Sequence, residues 1–174
     1  PSGGPVWGRR GVTAAGGRRP GWERPGMGLP TRAHAWFHRA AHYFGVRPVL
    51  VDVGADFRAR PAAMADAIGG ASFACDVGKE SDILRVIDET EKQFGPIDLF
   101  CSNAGIIGEF DPMSENAGGS SDGPWAKSWA VNVMAHIYAA RHLIPRMRAR
   151  GGGYFLNTVS AAGLLSQVGS AAYS

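Results

Sequence analysis

The chain predicts an α/β fold, a doubly wound parallel sheet that is incomplete at both ends. Three observations carry this. From Gly45 onward, short apolar β-rich runs alternate with helical stretches, the pattern of parallel strands joined by crossover helices. Each run ends on small or polar residues, and open α/β sheets hold their ligands at that carboxyl edge. The composition, 174 residues with 45% apolar and 19% charged, is ordinary for one globular domain with a core. No run approaches the ~20 apolar residues that a membrane helix needs.

Residues 1–44 stand apart from this pattern. They hold seven arginines against one acid, Glu23, a net of +6 that leaves −3 for the rest of a chain whose total is +3. The high isoelectric point therefore belongs to this leader. It is rich in Gly, Pro and Arg, without apolar periodicity, and is expected to be poorly ordered. It also has no Lys, Ile, Asn, Asp or Gln, and reads as a mis-framed translation joined to a coherent body. It lacks the interleaved aromatic and basic residues of an RNA-binding module, so nucleic acid is not the expected partner. A Gly-rich phosphate turn should follow a strand and open a helix. Gly21, Gly26 and Gly28 are the nearest match, but no strand precedes them in the sequence pattern and Pro20 stands before them. Nothing before Gly45 clearly supplies a first strand.

The elements follow in order. Thr31–Phe44 predicts a helix ended by Gly45, with His34, His38 and His42 on one face. No acid accompanies these histidines at metal-ligand spacing, so they read as surface or half-buried groups. Arg47–Val53 is a buried strand carrying Asp52 near its end. Pro61–Ile68 is a short helix with Pro at its first turn, and Ala71–Cys75 is the next strand, followed by Asp76–Val77. Ser81–Phe94 is an amphipathic helix whose stripe is Ile83, Val86, Ile87, Thr90 and Phe94. Ile97–Ser102 is a strand, with Asn103–Ala104–Gly105 directly after it. Residues 106–124 form a long polar loop, a candidate substrate wall. Trp125–Arg150 is a long helix in which Trp125, Trp129, Val133, His136, Ile137, Ala140 and Ile144 mark one face and Pro145 is expected to kink the last part. Tyr154–Val159 is the last strand. It ends on Ser160, and Tyr173 follows 13 residues later at an apparent helix start. Cys75 and Cys101 fall in the predicted strands and read as buried, reduced thiols. There is no metal-ligand cluster around either one.

Ser160 with Ala161–Ala162–Gly163, and Tyr173 at this spacing, resemble the active-site segment of the classical short-chain dehydrogenases/reductases. Asn103–Ala104–Gly105 is similar to that family's Asn-Asn-Ala-Gly, with Ser102 in place of the first Asn, and Val131–Asn132–Val133 carries its helix Asn. The resemblance spans roughly residues 45–174. The family's Tyr-x-x-x-Lys lysine falls beyond Ser174, and its Thr-Gly-x-x-x-Gly-x-Gly turn is not recognisable.

The resemblance implies a Rossmann-like dinucleotide-binding oxidoreductase domain from 45 to 174. Its implied activity is NAD(P)-dependent interconversion of an alcohol and a ketone or aldehyde. Ser160, Tyr173 and Asn132 are the implied catalytic residues, with Ser160 binding the substrate oxygen and Tyr173 exchanging its proton. Asp52, Asp76, Val77, Asn103, Ala104 and Gly105 are the implied cofactor residues. Asp52 favours NAD, since a carboxylate repels the extra phosphate of NADP; nearby Arg58 and Arg60 soften that preference. A cytoplasmic protein is implied, a homo-oligomer through its long helices in its full-length form. The 174-residue chain is expected to be an inactive central slice. The rival reading is a non-enzymatic truncated or regulatory remnant that pairs with a full-length relative.

Overall fold

The computed structural model describes residues 6–7, 26–33, 35–108, 121–165 and 169–173. His34, most of the 106–124 loop and most of residues 1–25, Gly21 included, lie outside them. The chain divides into two compact units, Pro1–Phe73 and Ala74–Ser174.

In the first unit, β1 (Val6–Trp7) pairs antiparallel with β2 (Gly26–Pro30), and β2 pairs in parallel with β3 (Arg47–Val51). Helix α1 (Ala35–Tyr43) joins β2 to β3, and α2 (Pro61–Ala67) follows. A strand before Gly45 is thus present, which corrects the expectation that none is supplied there. Gly26 and Gly28 lie inside β2 and form no phosphate turn. The strand is buried from Met27 to Pro30, yet it is built from residues of low β-propensity. Only Met27 and Leu29 carry its apolar signal; they are essentially inaccessible and pack with Ala41 and Val46 against Phe37 and Ala33. So β2 and α1 belong to the fold, although composition assigns them to the leader. Gly45, at φ +63°, takes the left-handed conformation that lets the chain leave α1 and enter β3 with only three residues between them.

In the second unit, β4 (Leu99–Ser102) and β5 (Tyr154–Asn157) pair in parallel. Helix α3 (Glu80–Phe94) buries Ile83 and Ile87 as its stripe predicts. The long helix is three consecutive pieces: α4 (Asp122–Ser128), a π-helical segment (Trp129–Met134) and α5 (Ala135–Ala149), which continues past Pro145. Its buried residues are Ala135, Ala139, Leu143 and Met147, one per turn, set against Ile83 and Ile87. The stripe marked in the sequence lies elsewhere: Trp125, Trp129, Ile137 and Ile144 are exposed, Trp129 at 61%. Bulk misleads here because the small alanines are what let α3 approach closely. Phe100 and Phe155 pack beneath this core, their ring centroids 5.9 Å apart. Ala71–Cys75 is not a strand, having no ladder partner among the described residues. Cys75 and Cys101 are exposed rather than buried. Partial desolvation still pushes both thiols up, helped at Cys75 by the Asp82 carboxylate.

Charge pairs lace α3 to α5. Glu80 accepts hydrogen bonds from Arg141 (2.7 Å) and pairs with His142 (2.9 Å). Arg146 bridges Glu91 (2.8 Å) and Asp88 (2.7 Å), and Arg150 donates to Glu91 at 3.0 Å. Burial pushes the Glu91 carboxyl up, but Arg146, the Ile97 N–H and Arg150 outweigh it, so it sits below the usual carboxylate range. A carboxyl lowered by folding contributes fully above its unfolded value, about 4.3, and loses that contribution as pH falls through the folded value. Glu91→Gln is therefore expected to cost about 1–3 kcal/mol at neutral pH and much less near pH 3. Urea unfolding at both pH values checks this; an equal loss at both would contradict the charge argument.

Candidate active site

The carboxyl edge of β4 and β5 gathers most of the motif residues. Thr158 N–H donates to Ser102 O at 2.9 Å, extending the ladder one step past β5. The Thr158 hydroxyl then donates to Asn103 Oδ1 at 2.7 Å. This bond ties the Asn103–Gly105 segment to the strand end that delivers Ser160. Asn132 holds the next segment: its Nδ2 donates to Ile106 O and its Oδ1 accepts from Ile106 N–H, both at 2.9 Å. A carboxamide matches a backbone peptide group donor for acceptor, which no charged or apolar side chain of this size does. The π-helical segment that carries Asn132 is a feature found often at functional sites. A β-carbon on Gly105 would stand in ordinary contact, 3.5 Å, with Asn132 Oδ1, so the two segments lie side by side.

The Asp76–Val77 turn reaches the same helix. A β-carbon on Gly78 would meet Ala130 Cβ at 3.6 Å and Val131 Cγ2 at 3.8 Å. Asp76 Oδ1 accepts from Gly78 N–H at 3.1 Å, its Oδ2 pairs with Lys79 Nζ at 3.3 Å, and its N–H donates to Asp82 Oδ2 at 2.9 Å. Val77 packs against the core below. Asp76, Val77, Asn103, Ala104, Gly105 and Asn132 thus belong to segments that adjoin one another.

Ser160 and Tyr173 are not joined. Ser160 caps a single 3₁₀ turn (Ala161–Leu164), and its Oγ accepts from Ala162 N–H at 3.2 Å. Tyr173 sits half-buried in a turn, its N–H donating to Ser170 O at 2.9 Å. No hydrogen bond links the two side chains. Asp52 is exposed immediately after β3 in the first unit. Sequence reasoning missed Thr158, whose signal is a hydroxyl two residues before Ser160. It also missed Ile106, which acts through its backbone and leaves no trace in side-chain chemistry.

The dinucleotide implied by the resemblance fits this framework in part. The small and polar edge at Asp76–Val77 and Asn103–Gly105 suits an adenosine. The turn after β2 does not suit a diphosphate: Thr31, Arg32 and Ala33 occupy it without a glycine. Thr31 N–H is spent on Val51 O (2.9 Å) and Ala33 N–H on Pro30 O (2.8 Å).

Replacing Asn132 by Ala leaves the Ile106 N–H and C=O without partners. We expect a loss of about 1–3 kcal/mol and faster amide exchange at Ile106, with Asn132→Asp intermediate because it keeps the acceptor. Hydrogen-exchange mass spectrometry over residues 104–108 reads this directly, and unchanged exchange in Asn132→Ala would refute the clamp.

Comparison with known proteins bears on the family and the fold. A family model described as "Enoyl-(Acyl carrier protein) reductase" matches residues 37–174. The 3beta-hydroxysteroid dehydrogenase 2 of Eggerthella lenta is 31% identical over 99 residues, 56% of this chain and 36% of the relative. The 1-deoxy-11-beta-hydroxypentalenate dehydrogenase of Streptomyces exfoliatus is 31% identical over 151 residues, 85% of this chain and 52% of the relative. Among solved structures, a short-chain dehydrogenase/reductase from Burkholderia phymatum in complex with NAD superposes with a TM-score of 0.57 at 26% identity, covering 79% of this chain and 48% of that one. The chain spans about a third to a half of the length of the curated relatives it matches. With its parallel strand pairs, the motif segments meeting at the β4–β5 edge and a family match over residues 37–174, the chain belongs to the classical short-chain dehydrogenase/reductase family, with its Rossmann-like α/β fold.

Proposed function

We propose that this chain carries part of an NAD(P)-dependent oxidoreductase that interconverts a small-molecule alcohol and a ketone or aldehyde. The observation that carries the reading is the pair of ties at the β4–β5 edge, Thr158 to Asn103 and Asn132 to Ile106. They draw together segments of the family resemblance that lie far apart in sequence. Ser160 donates its hydroxyl proton to the substrate oxygen, which its acceptance from Ala162 N–H leaves free to do, and Tyr173 exchanges the proton with that oxygen. Asn132 fixes the backbone beside them. When bound, the nicotinamide accepts or supplies the hydride. Asp76, Val77, Asn103, Ala104 and Gly105 line the adenosine, and Asp52 takes the ribose hydroxyls, which favours NAD over NADP. An alcohol or carbonyl substrate is preferred to an enoyl one because a serine and tyrosine pair addresses an oxygen, and the relatives quoted above are named for hydroxyl-bearing substrates. The described residues include no helix long and apolar enough to cross a membrane, and two free thiols suit the reducing cytoplasm.

The 174-residue polypeptide itself is read as inactive. Ser160 is not joined to Tyr173, and two amides of the turn after β2 are spent. One observation favours a second reading. The outer face of α5 carries an apolar groove lined by Ile137, Ala140, Arg141, Ile144 and Pro145, and Trp129 is exposed on the preceding segment. This suits association with another copy or a full-length relative, as an oligomeric enzyme or as a non-enzymatic remnant.

Calorimetric titration with NAD(H) separates these readings. The 174-residue chain is expected to show little turnover, and a version continued through a Lys four positions after Tyr173 to bind NAD and oxidise secondary alcohols. If both forms are folded and dimeric yet neither binds NAD, the enzymatic reading fails and the association reading stands.

A further inference from the structure

We propose that Asp82 and Arg85 of α3 are positioning residues for the adenosine: together they imitate one residue of a neighbouring parallel strand, and so fix the segment that presents the Asp76–Val77 turn. The inference rests on the dinucleotide reading above and concerns two residues that this reading leaves unused. It lies wholly within the second unit. The segment from Ala74 to Asp76 is exposed and has no ladder partner among the described residues. In a parallel ladder, one residue serves two groups of its neighbour: its N–H donates to the carbonyl of residue i−1, and its C=O accepts from the N–H of residue i+1. Around Cys75 those two groups are the Ala74 carbonyl and the Asp76 N–H. Arg85 Nη2 donates to Ala74 O at 2.5 Å, and Asp82 Oδ2 accepts from Asp76 N–H at 2.9 Å.

The same Nη2 and Oδ2 stand 3.7 Å apart, so donor and acceptor are held as a pair. Burial and the Asp82 carboxylate push the Cys75 thiol up while the Arg85 guanidinium pulls it down, so both charges stand beside the residue that an imitated strand residue would face. Helix α3 supplies a firm base for them. Asp82 and Arg85 are i, i+3 neighbours on its surface, while Ile83 and Ile87 are buried against α5. A segment that solvent would otherwise satisfy is thus tied at two points to a helix fixed by the core, through bonds that each have a charged partner. As an ion pair, Asp82 and Arg85 are 31% and 47% exposed, and exposed pairs contribute little to stability. Their effect falls on where the turn stands. The Asp76 side chain works more locally: Oδ1 accepts from Gly78 N–H and Oδ2 pairs with Lys79. Those contacts shape the turn, and the α3 pair places it.

Two measurements on the 174-residue chain test this: equilibrium binding of adenosine, a probe that asks for no phosphate contact, and hydrogen-exchange mass spectrometry over residues 74–79. The variants are Asp82→Ala, Asp82→Asn, Arg85→Met and Arg85→Lys, with circular dichroism to check folding. Asp82→Ala and Arg85→Met are expected to exchange faster over 74–79 and to lose about three- to tenfold in adenosine affinity. Asp82→Asn keeps an acceptor for Asp76 N–H while dropping the ion pair, and is expected to recover most of that loss. Arg85→Lys keeps a donor and is expected to recover part of it. Arg85→Met leaves the first-turn acid of α3 in place, so it carries the test if Asp82→Ala does not fold. Asp82→Asn as weak as Asp82→Ala would show that the residue acts through its charge alone, and overturns the proposal. Unchanged adenosine affinity in folded Arg85→Met, or unchanged exchange over 74–79, also overturns it, and each of these results leaves the dinucleotide reading intact. Failure of the folded parent chain to bind adenosine overturns both.

Discussion

The close contact between α3 and α5 is what the second unit depends on. Ile83 and Ile87 meet a row of Ala135, Ala139, Leu143 and Met147, and the two alanines set how near the helices come. Phe100 and Phe155 pack against the same cluster, so the helix pair also fixes the plane of β4 and β5. The charge pairs along the seam are exposed or half-exposed, and such pairs contribute modestly. Their greater effect is on register, because Glu80 at one end is held by Arg141 and His142 of α5, and Glu91 at the other by Arg146 of α5 and by Arg150 just after it. Where β4 and β5 end, and so where Asn103 and Ser160 emerge, follows from that register.

An adenosine and a diphosphate place different physical demands on a protein. An adenosine needs small residues and hydrogen-bonding edges, which side chains and glycines at strand ends provide. A diphosphate needs concentrated positive potential, ordinarily from unspent backbone amides. In the second unit the segments that the resemblance assigns to an adenosine are tied through Thr158 and Asn132; in the first unit two amides of the turn after β2 are spent on Val51 O and Pro30 O. Asp52 follows β3 on the same strand pair as that turn.

Much of this was legible in the sequence, and for identifiable reasons. Helix α3 was readable because its apolar spacing matches one helical face, and α2 because Pro61 opens it. The segments at Asp76, Asn103 and Asn132 were readable because their residue types and spacing resemble a known family. Strand β2 was hidden because glycines and a proline carry no β signal, although burial makes the strand obligatory. Ala71–Cys75 looked like a strand because apolar residues in an extended run satisfy the pattern whether or not a neighbour exists to pair with them. The buried face of α5 was misread because Trp129 and Ile137 outweigh alanine in any count of hydrophobicity, while close packing favours the smaller side chain. The turn that Ser160 caps lay beyond the sequence, since a serine hydroxyl can accept from a backbone amide and still donate to a substrate.

The π-helical segment has one further consequence. A π turn adds a residue to a helix that otherwise advances about 100° per residue, so α4 and α5 are out of phase across Trp129–Met134. The turn of helix bearing Asn132 is aimed independently of the face that α5 buries. Loss or gain of a single residue between Asn132 and Ala135 would leave the core pairing of α5 intact while swinging Asn132 away from Ile106. Length variation along this helix is thus filtered by the backbone geometry of the site and hardly at all by the hydrophobic interior.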